Sequence, residues 1–403
     1  MNAPAFFDIA THGQVFTAPA IVDAILGLRR NQGRVLEPAC GDGAFAARLP
    51  DCVAIEIDPR HCPRGALNID FFAYPETEKF DTIIGNPPYV RYQDIPASTR
   101  RLLRDGLFDA RTNLYLFFIE KCIRHLALRG ELIFITPRDF LKATAAVKLN
   151  RWLHEQGTIT DAIELGDALI FADAKPNCLI WRFQLGNFQR ETRYVDATRF
   201  ISLEEALDAN HFESRKFAEC AGHLLFTRQD YPLRFSELFF VKVGAVSAAD
   251  EIFTHEKHGN LDFVCSTTAQ TGELRRMIYN ECPPYLQQFK QRLLERRIRK
   301  FDESNWWQWG RGYHQSAQPR IYVNAKTRNP RPFFVHTCPN YDGAVLAIFP
   351  HDPAQDVHAL CAALNEVDWN ELGFVCDGRF LFSQRSLENA PLPQSFARFM
   401  PGK

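Results

Sequence analysis

The sequence lacks several features that would define other classes of protein. Its 11 cysteines contain no CxxC pair, which argues against a zinc site or a disulfide framework. No apolar run approaches the roughly 20 residues that a membrane span needs, and the first 13 residues do not resemble a signal peptide. The formal net charge is −1, so any surface for nucleic acid must be a local patch. We therefore expect a cytoplasmic protein with reduced thiols, no membrane contact and no bound metal.

The first half of the sequence alternates short apolar runs with helix-forming segments. Strands are predicted at 34–37, 53–57, 80–85 and 130–135. Helix-forming residues occupy 44–49, and apolar residues recur at helical spacing over 114–128. This alternation predicts an α/β fold with a doubly wound, mostly parallel sheet. Ligands of such sheets bind at the carboxyl ends of the strands, where Glu37, Glu56 and Asn86 are expected to lie along one edge.

Beyond residue 225 the pattern changes to short apolar runs broken by prolines. We predict two domains, residues 1–225 and residues 226–403, the second of α+β type. Residues 285–301 predict a helix with one apolar stripe. Residues 285–331 contain eleven Lys or Arg against three Asp or Glu, interleaved with three tryptophans. This stretch is either a basic surface for phosphate groups or a solvated helix followed by a tryptophan-rich core, and both interpretations stay open.

The first group of candidate site residues follows the first two predicted strands. Residues 37–43 form a glycine-bearing turn that lets the backbone approach a ligand, although they match neither GxGxxG nor a P-loop. Glu56 can accept both ribose hydroxyls, and Asp70 can accept an exocyclic amine beside the ring of Phe71. Each feature alone is an ordinary turn or strand end, but together they predict a pocket for S-adenosylmethionine rather than NAD or ATP. The candidate cofactor residues are Glu37, Ala39, Gly41, Gly43, Glu56, Asp70 and Phe71.

The tetrapeptide Asn86-Pro87-Pro88-Tyr89 follows the third predicted strand. An exocyclic amine must be drawn towards sp3 geometry before it can attack a methyl sulfonium, and the Asn86 side-chain oxygen and the Pro87 carbonyl can each accept one N–H. The two prolines stiffen the turn, and Tyr89 offers a face on which a base can stack. Alone, such a tetrapeptide is most often a plain turn. At this strand end it predicts methyl transfer to a planar nitrogen.

With these motifs in this order, the sequence resembles the gamma group of DNA adenine-N6 methyltransferases of bacterial restriction–modification systems. The resemblance implies a class I S-adenosylmethionine-dependent methyltransferase domain followed by a DNA target-recognition domain. It implies double-stranded DNA as the partner, with a separately encoded restriction endonuclease as a further candidate. It also implies that Thr17 touches the methionine part of the cofactor, and that Phe171 and Tyr89 sandwich a flipped-out adenine. One departure is at Ala248, near which the group often has a glycine-type turn.

The basic stretch of the second domain supplies the candidates for DNA contact. They are Arg296, Arg297, Arg311, Arg320, Lys326 and Arg328.

Three other functions are rival hypotheses. Methyltransferases with the same tetrapeptide act on ribosomal RNA or on a protein glutamine, but the large second domain, Phe171 and the basic stretch favour DNA. The intact Asn86 and the cofactor acids argue against a non-catalytic DNA-binding specificity subunit. The lack of a nuclease carboxylate–lysine cluster argues against a fused restriction enzyme.

Overall fold

The structure, a computed structural model, describes residues 17–103, 106–108, 112–166, 177–376 and 378–400. The chain divides into two compact units, Met1–Gln229 and Asp230–Lys403. Buried apolar clusters occur within each unit, so each has a core of its own. No helix in the described ranges is long and apolar enough to cross a membrane.

The first unit is built around one sheet of nine described strands, in the order β2-β1-β3-β4-β6-β5-β7-β8-β9. The strands are β1 (Val35–Glu37), β2 (Cys52–Ala54), β3 (Phe80–Gly85), β4 (Leu126–Pro137), β5 (Gly157–Gly166), β6 (Cys178–Leu185), β7 (Glu191–Asp196), β8 (Glu213–Cys220) and β9 (His223–Thr227). Of these nine, β6 and β8 run against the direction of the other seven. The neighbours β2, β1, β3 and β4 are all parallel, so their carboxyl ends meet at one edge.

Apolar side chains leave this sheet on both faces, because alternate residues of a strand point to opposite sides. Ile83 and Phe134 belong to one core, whereas their neighbours Ile84 and Ile133 belong to the other. The described helices of the unit are α1 (Pro19–Gly27), α2 (Ala97–Arg100), α3 (Leu114–His125), α4 (Val147–Gln156) and α5 (Leu203–Ala206). α3 and α4 pack into the first core and α1 into the second. The predicted doubly wound, mostly parallel α/β fold is confirmed.

Two elements near the site are shorter than predicted. The strand predicted at 53–57 ends at Ala54, and Ile55 makes only an isolated bridge to Leu67. The helix-forming residues 44–49 give a single 3-10 turn, Ala46–Arg48. The chain turns sharply just before it, since Gly41 and Gly43 have φ of +52° and +80°. Both shortened elements leave irregular backbone at the carboxyl edge of the sheet.

The second unit contains a four-stranded antiparallel sheet in the order β11-β17-β14-β16. Its described strands are β10 (Leu233–Arg234), β11 (Phe239–Val243), β12 (Leu261–Phe263), β13 (Arg275–Met277), β14 (Ile321–Asn324), β15 (Lys326–Thr327), β16 (Phe333–Val335), β17 (Val345–Pro350), β18 (Val375–Cys376), β19 (Arg379–Leu381) and β20 (Pro391–Leu392). Its described helices are α6 (Phe235–Leu238), α7 (Asp250–Phe253), α8 (Thr268–Thr271), α9 (Lys290–Leu294), α10 (Val357–Asn365) and α11 (Gln384–Glu388). Three smaller sheets pair β10 with β20, β12 with β13, and β15 with β19 and β18.

The helix predicted over 285–301 is wrong in its extent. A 3-10 segment, Pro284–Phe289, leads into α9, which ends at Leu294. Beyond it the chain bends so that Arg296 turns inward, and tertiary contacts override helix propensity there. Trp306 and Trp309 are each 3% exposed. For these tryptophans the interpretation as core residues is therefore the correct one.

Candidate active site

A cleft lies at the carboxyl ends of the parallel strands β1, β2 and β3. It has about 1000 Å³ of empty space, part of it open to solvent, which suits a small-molecule ligand. The predicted site residues that line it are Thr17, Glu37, Ala39, Gly41, Glu56, Asp70, Phe71, Asn86 and Pro88. Gly43 lies in the turn beside the cleft, where its φ is +80°. Residues from five separate segments thus meet at one edge of the sheet.

Glu37 is the last residue of β1 and is 1% exposed. Its carboxylate Oε2 accepts a hydrogen bond from the backbone N–H of Ala46 at 2.8 Å. Burial raises the pKa of Glu37 to about 8, and the negative charges of Asp42 and Glu56 act in the same direction. Near neutral pH the carboxyl group therefore keeps its proton unless a cation arrives beside it.

Glu56 connects the glycine-bearing turn to the segment that follows β2. Its Oε2 accepts from the N–H of Gly41 and its Oε1 from the N–H of Asp58, both at 2.8 Å. These bonds hold the buried carboxylate in one orientation. Each carboxylate oxygen keeps a further lone pair, so Glu56 can still accept from hydroxyl groups of a ligand.

Asp70, which also lines the cleft, is likewise fixed by two hydrogen bonds. Its Oδ1 caps the 3-10 turn Phe71–Ala73 by accepting from the N–H of Phe72, and its Oδ2 accepts from the hydroxyl of Thr99 at 2.6 Å. Thr99 also lines the cleft, and sequence reasoning missed it because no local pattern links residues 29 positions apart. This side of the cleft therefore depends on a segment that follows the tetrapeptide.

The aromatic part of the cleft differs in detail from the prediction. Phe71 is only 2% exposed, and its ring stacks on Phe118 of α3 at 5.2 Å. Phe72 is half-buried and also lines the cleft, so it is a second candidate for contact with a planar ligand. The buried ammonium of Lys121 donates to the carbonyls of Phe72 and Tyr74, at 2.8 and 2.9 Å, and so stabilises this turn. Nothing in the pattern around Lys121 signals this contact.

The tetrapeptide begins directly after β3 ends at Gly85. The Asn86 side chain lines the cleft, and its Nδ2 donates to the hydroxyl of Thr17 at 3.3 Å. Its Oδ1 accepts from the Tyr89 hydroxyl at 2.7 Å, a contact that sequence reasoning did not predict. The ring of Tyr89 is half-buried and meets Tyr115 edge-on at 5.8 Å. Phe171, the predicted second stacking ring, lies outside the described residues.

Two of the six predicted DNA-contact residues in the second unit are corrected by burial. Arg296 is 9% exposed, and its guanidinium donates to the carbonyls of Ser247, Leu293, Trp306 and Gln308. Arg320 is 5% exposed and donates to the carbonyls of Ser316, Gln318 and Pro339. A guanidinium committed to backbone carbonyls inside the unit stabilises its fold and cannot reach a duplex.

The other four predicted DNA-contact residues stay available at the surface. They are Arg297, Arg311, Lys326 and Arg328. None of them forms an ion pair with any residue in the described ranges. Arg297 thus differs from its sequence neighbour Arg296 in exposure as well as in partners.

Parts of this sequence, and its fold, are similar to those of known proteins. Residues 61–171 match the model of the Eco57I restriction-modification methylase family. The type II methyltransferase M.TthHB8I of Thermus thermophilus is 33% identical over 196 residues, which cover 43% of this chain and 45% of that protein. The type II methyltransferase M.HincII of Haemophilus influenzae is 28% identical over 205 residues, or 48% of this chain and 40% of that protein.

Among solved structures, the type IIL restriction-modification enzyme MmeI aligns with a TM-score of 0.52 and 13% identity, over 92% of this chain and 64% of that chain. At this identity the likeness concerns the fold alone. The chain spans less than half the length of the two sequence relatives. The nine-stranded sheet with its cleft belongs to the fold that this restriction–modification enzyme also has. The predicted resemblance of this chain to the methyltransferases of restriction–modification systems is confirmed.

Proposed function

We propose that the protein is a site-specific DNA methyltransferase that transfers the methyl group of S-adenosylmethionine to the N6 amino group of adenine. The observation that carries the proposal is that three carboxyl groups, those of Glu37, Glu56 and Asp70, line the same cleft as Asn86. An acid-lined cleft disfavours the phosphates of NAD or ATP and favours a cationic adenosine derivative. Asn86 is the acceptor that a target amine requires.

The residues present suit S-adenosylmethionine part by part. Glu56 would hold the ribose hydroxyls, Asp70 the amine of the adenine, and Phe71 with Phe72 its ring. Glu37 and Thr17 would face the methionine part. When bound, S-adenosylmethionine supplies a methyl group activated by a positively charged sulfur.

The chain's own part in the transfer is to hold the target amine. Asn86 Oδ1 and the Pro87 carbonyl each accept one N–H, which localises the lone pair of the nitrogen for attack on the methyl carbon. The nitrogen would gain the methyl group as the methyl–sulfur bond breaks, so that the sulfur would leave as a neutral thioether. The nitrogen would then lose one proton to solvent. Tyr89 and Phe171 stack on the base and hold it in line, so positioning supplies much of the catalysis.

Support for DNA as the acceptor comes from the relatives and from the second unit. The matched relatives are named type II methyltransferases, and MmeI was solved in complex with DNA. The second unit would be the target-recognition domain, with Arg297, Arg311, Lys326 and Arg328 as candidate contacts to phosphates or bases. Flipping the adenine out of the duplex costs a few kcal/mol, which such contacts would offset. The protein would act on DNA in the bacterial cytoplasm, in a system that includes a separate endonuclease.

The test supplies the protein with labelled S-adenosylmethionine and, in parallel, double-stranded DNA, ribosomal RNA and a glutamine-bearing protein acceptor. Label should appear on N6 of adenine in the DNA; label on RNA or protein alone would overturn the proposal. Asn86→Ala should abolish transfer while cofactor binding survives. Asn187→Ala, an asparagine that does not line the cleft, is the matched control and should keep wild-type turnover. Modification-aware sequencing of DNA from expressing cells would then report the recognition sequence.

A further inference from the structure

The Tyr89 hydroxyl has one proton and two acceptors within reach. Asn86 Oδ1 lies 2.7 Å from the hydroxyl oxygen, and the backbone carbonyl of Ile135 lies 3.0 Å from it. A separation of 2.7 Å is typical of an O–H···O bond, which supports the oxygen of the Asn86 amide as the atom that faces Tyr89. The amide nitrogen faces Thr17 on the other side. Asn86 is thus held at both ends of its amide.

We propose that the Tyr89 hydroxyl is a positioning group that sets the orientation of the Asn86 amide, with Thr17 at the opposite end. The inference rests on the proposed function and goes beyond base stacking, which uses only the face of the Tyr89 ring. A side-chain amide has nearly the same shape after a 180° rotation, but its donor and acceptor exchange places. A rotated Asn86 would present N–H groups to an amine that itself needs acceptors. Correct orientation is therefore a condition for catalysis.

The Asn86 side-chain oxygen can still accept a hydrogen bond from the target amine while it is bonded to Tyr89. An amide oxygen has two lone pairs, so the Tyr89 hydroxyl occupies one and the target amine can take the other. If the amine draws Asn86 towards itself, the hydroxyl can donate to the Ile135 carbonyl instead and is not left without a partner. Ile135 belongs to β4, next to β3, so the second acceptor is part of the rigid sheet. Burial raises the pKa of Tyr89, and the hydroxyl therefore stays protonated as a donor.

Tyr89→Phe separates the hydroxyl from the ring. The variant keeps the stacking face, so KM for DNA and the fluorescence of 2-aminopurine at the target position should match the wild type. The kcat should fall about tenfold, the effect of roughly one hydrogen bond. Tyr115→Phe is the matched control: its ring packs against Tyr89, but its hydroxyl does not bond to Asn86, and its kcat should stay within about twofold of wild type.

The outcomes separate this inference from the proposed function. Wild-type kcat in Tyr89→Phe, or a loss of 2-aminopurine signal equal to the loss of kcat, would overturn the positioning role. Should Tyr89→Phe fail to fold, Thr17→Val decides, measured with the cofactor at saturation because Thr17 would also face the methionine part. A lower kcat at unchanged KM for DNA then supports the orientation of Asn86 from both sides, and an unchanged kcat overturns it. Full activity of Asn86→Ala would refute the proposed function itself, whatever the Tyr89 variants show.

Discussion

Replacement of Glu37 by glutamine should remove a pH dependence of stability that is built into the cleft. The carboxyl group is 1% exposed, and burial raises its pKa from the ordinary value of 4.5 to about 8. Between these two pH values the unfolded chain has released the proton while the folded protein still holds it. Stability contributed by this group is therefore complete below pH 4.5, falls as the pH rises, and levels off above about 8. At about 1.36 kcal/mol per pH unit, the loss reaches about 5 kcal/mol.

Glutamine resembles the protonated form and can still accept from Ala46, but it does not titrate. We expect Glu37→Gln to match the wild type in stability near pH 5 and to exceed it by about 4–5 kcal/mol near pH 8.5. Thermal and urea unfolding of the two proteins, measured in parallel from pH 5 to 9, provide the comparison. A difference in stability that is the same at both ends of this range would refute the assignment of a raised pKa to Glu37.

Cofactor binding should show the opposite dependence on pH. If the cationic cofactor is bound by ionised Glu37, binding must release the proton, so affinity should rise by up to about tenfold per pH unit below pH 8. Above pH 8 the affinity should become constant. Glu37→Gln should bind the cofactor more weakly and without this slope. Calorimetric titration in buffers of different ionisation enthalpy would detect the proton released on binding. If the wild type released no proton, the proposed linkage between cofactor binding and the ionisation of Glu37 would be contradicted.

Three further predictions follow from single contacts. Thr99→Val should weaken cofactor binding about five- to tenfold, because Asp70 loses a hydroxyl donor worth about 1 kcal/mol. Thr99→Ser keeps the hydroxyl and should retain wild-type affinity in the same titration. Equal affinities of the wild type and both variants would contradict a role for this hydrogen bond. Arg296→Gln should lower the free energy of unfolding by about 3 kcal/mol, since buried carbonyls lose their hydrogen-bond donor. The adjacent Arg297→Gln should leave Tm unchanged, but it should weaken DNA binding and make that binding less dependent on salt concentration. A reversed pattern in this pair would refute both assignments. Ala248→Gly should stabilise the protein by about 0.5–1 kcal/mol, because Ala248 has φ of +58°, and an unchanged or lower Tm would show that the turn is not strained.

The turn at Ala248 illustrates where sequence and structure diverge. Alanine stands here where the group that the sequence resembles often has a glycine-type turn, and the sequence alone did not define the geometry of this loop. Ala248 adopts a left-handed conformation, with φ of +58°. The loop is held by contacts of Ser247: its hydroxyl accepts from the N–H of Ala249 at 3.0 Å and its carbonyl accepts from Arg296 at 2.6 Å. Tertiary hydrogen bonds can maintain a backbone conformation that the local residue disfavours.

The basic stretch, residues 285–331, shows more clearly that the local sequence does not decide which side chains are buried. Arg296 and Arg297 are indistinguishable as sequence, yet one is buried among carbonyls and the other is exposed. The predicted helix would have placed both on its polar side, but α9 ends at Leu294. Burial of a long charged side chain depends on partners far along the chain, such as Ser247, which no local pattern reveals.

The sequence by itself determined the fold class of the first unit, the strands β1, β3 and β4 beside the cleft, and most of the residues that meet at the carboxyl edge of the sheet. It could do so because strand alternation and strand-end position are local properties, and parallel strands bring their ends together. Only the tertiary structure decided which contacts hold those residues. The hydroxyl of Thr99 donates to Asp70, the ammonium of Lys121 donates to the carbonyl of Phe72, and the hydroxyl of Tyr89 donates to Asn86. The partners in these contacts come together, and their side chains take these orientations, only when the cores on the two faces of the sheet have packed.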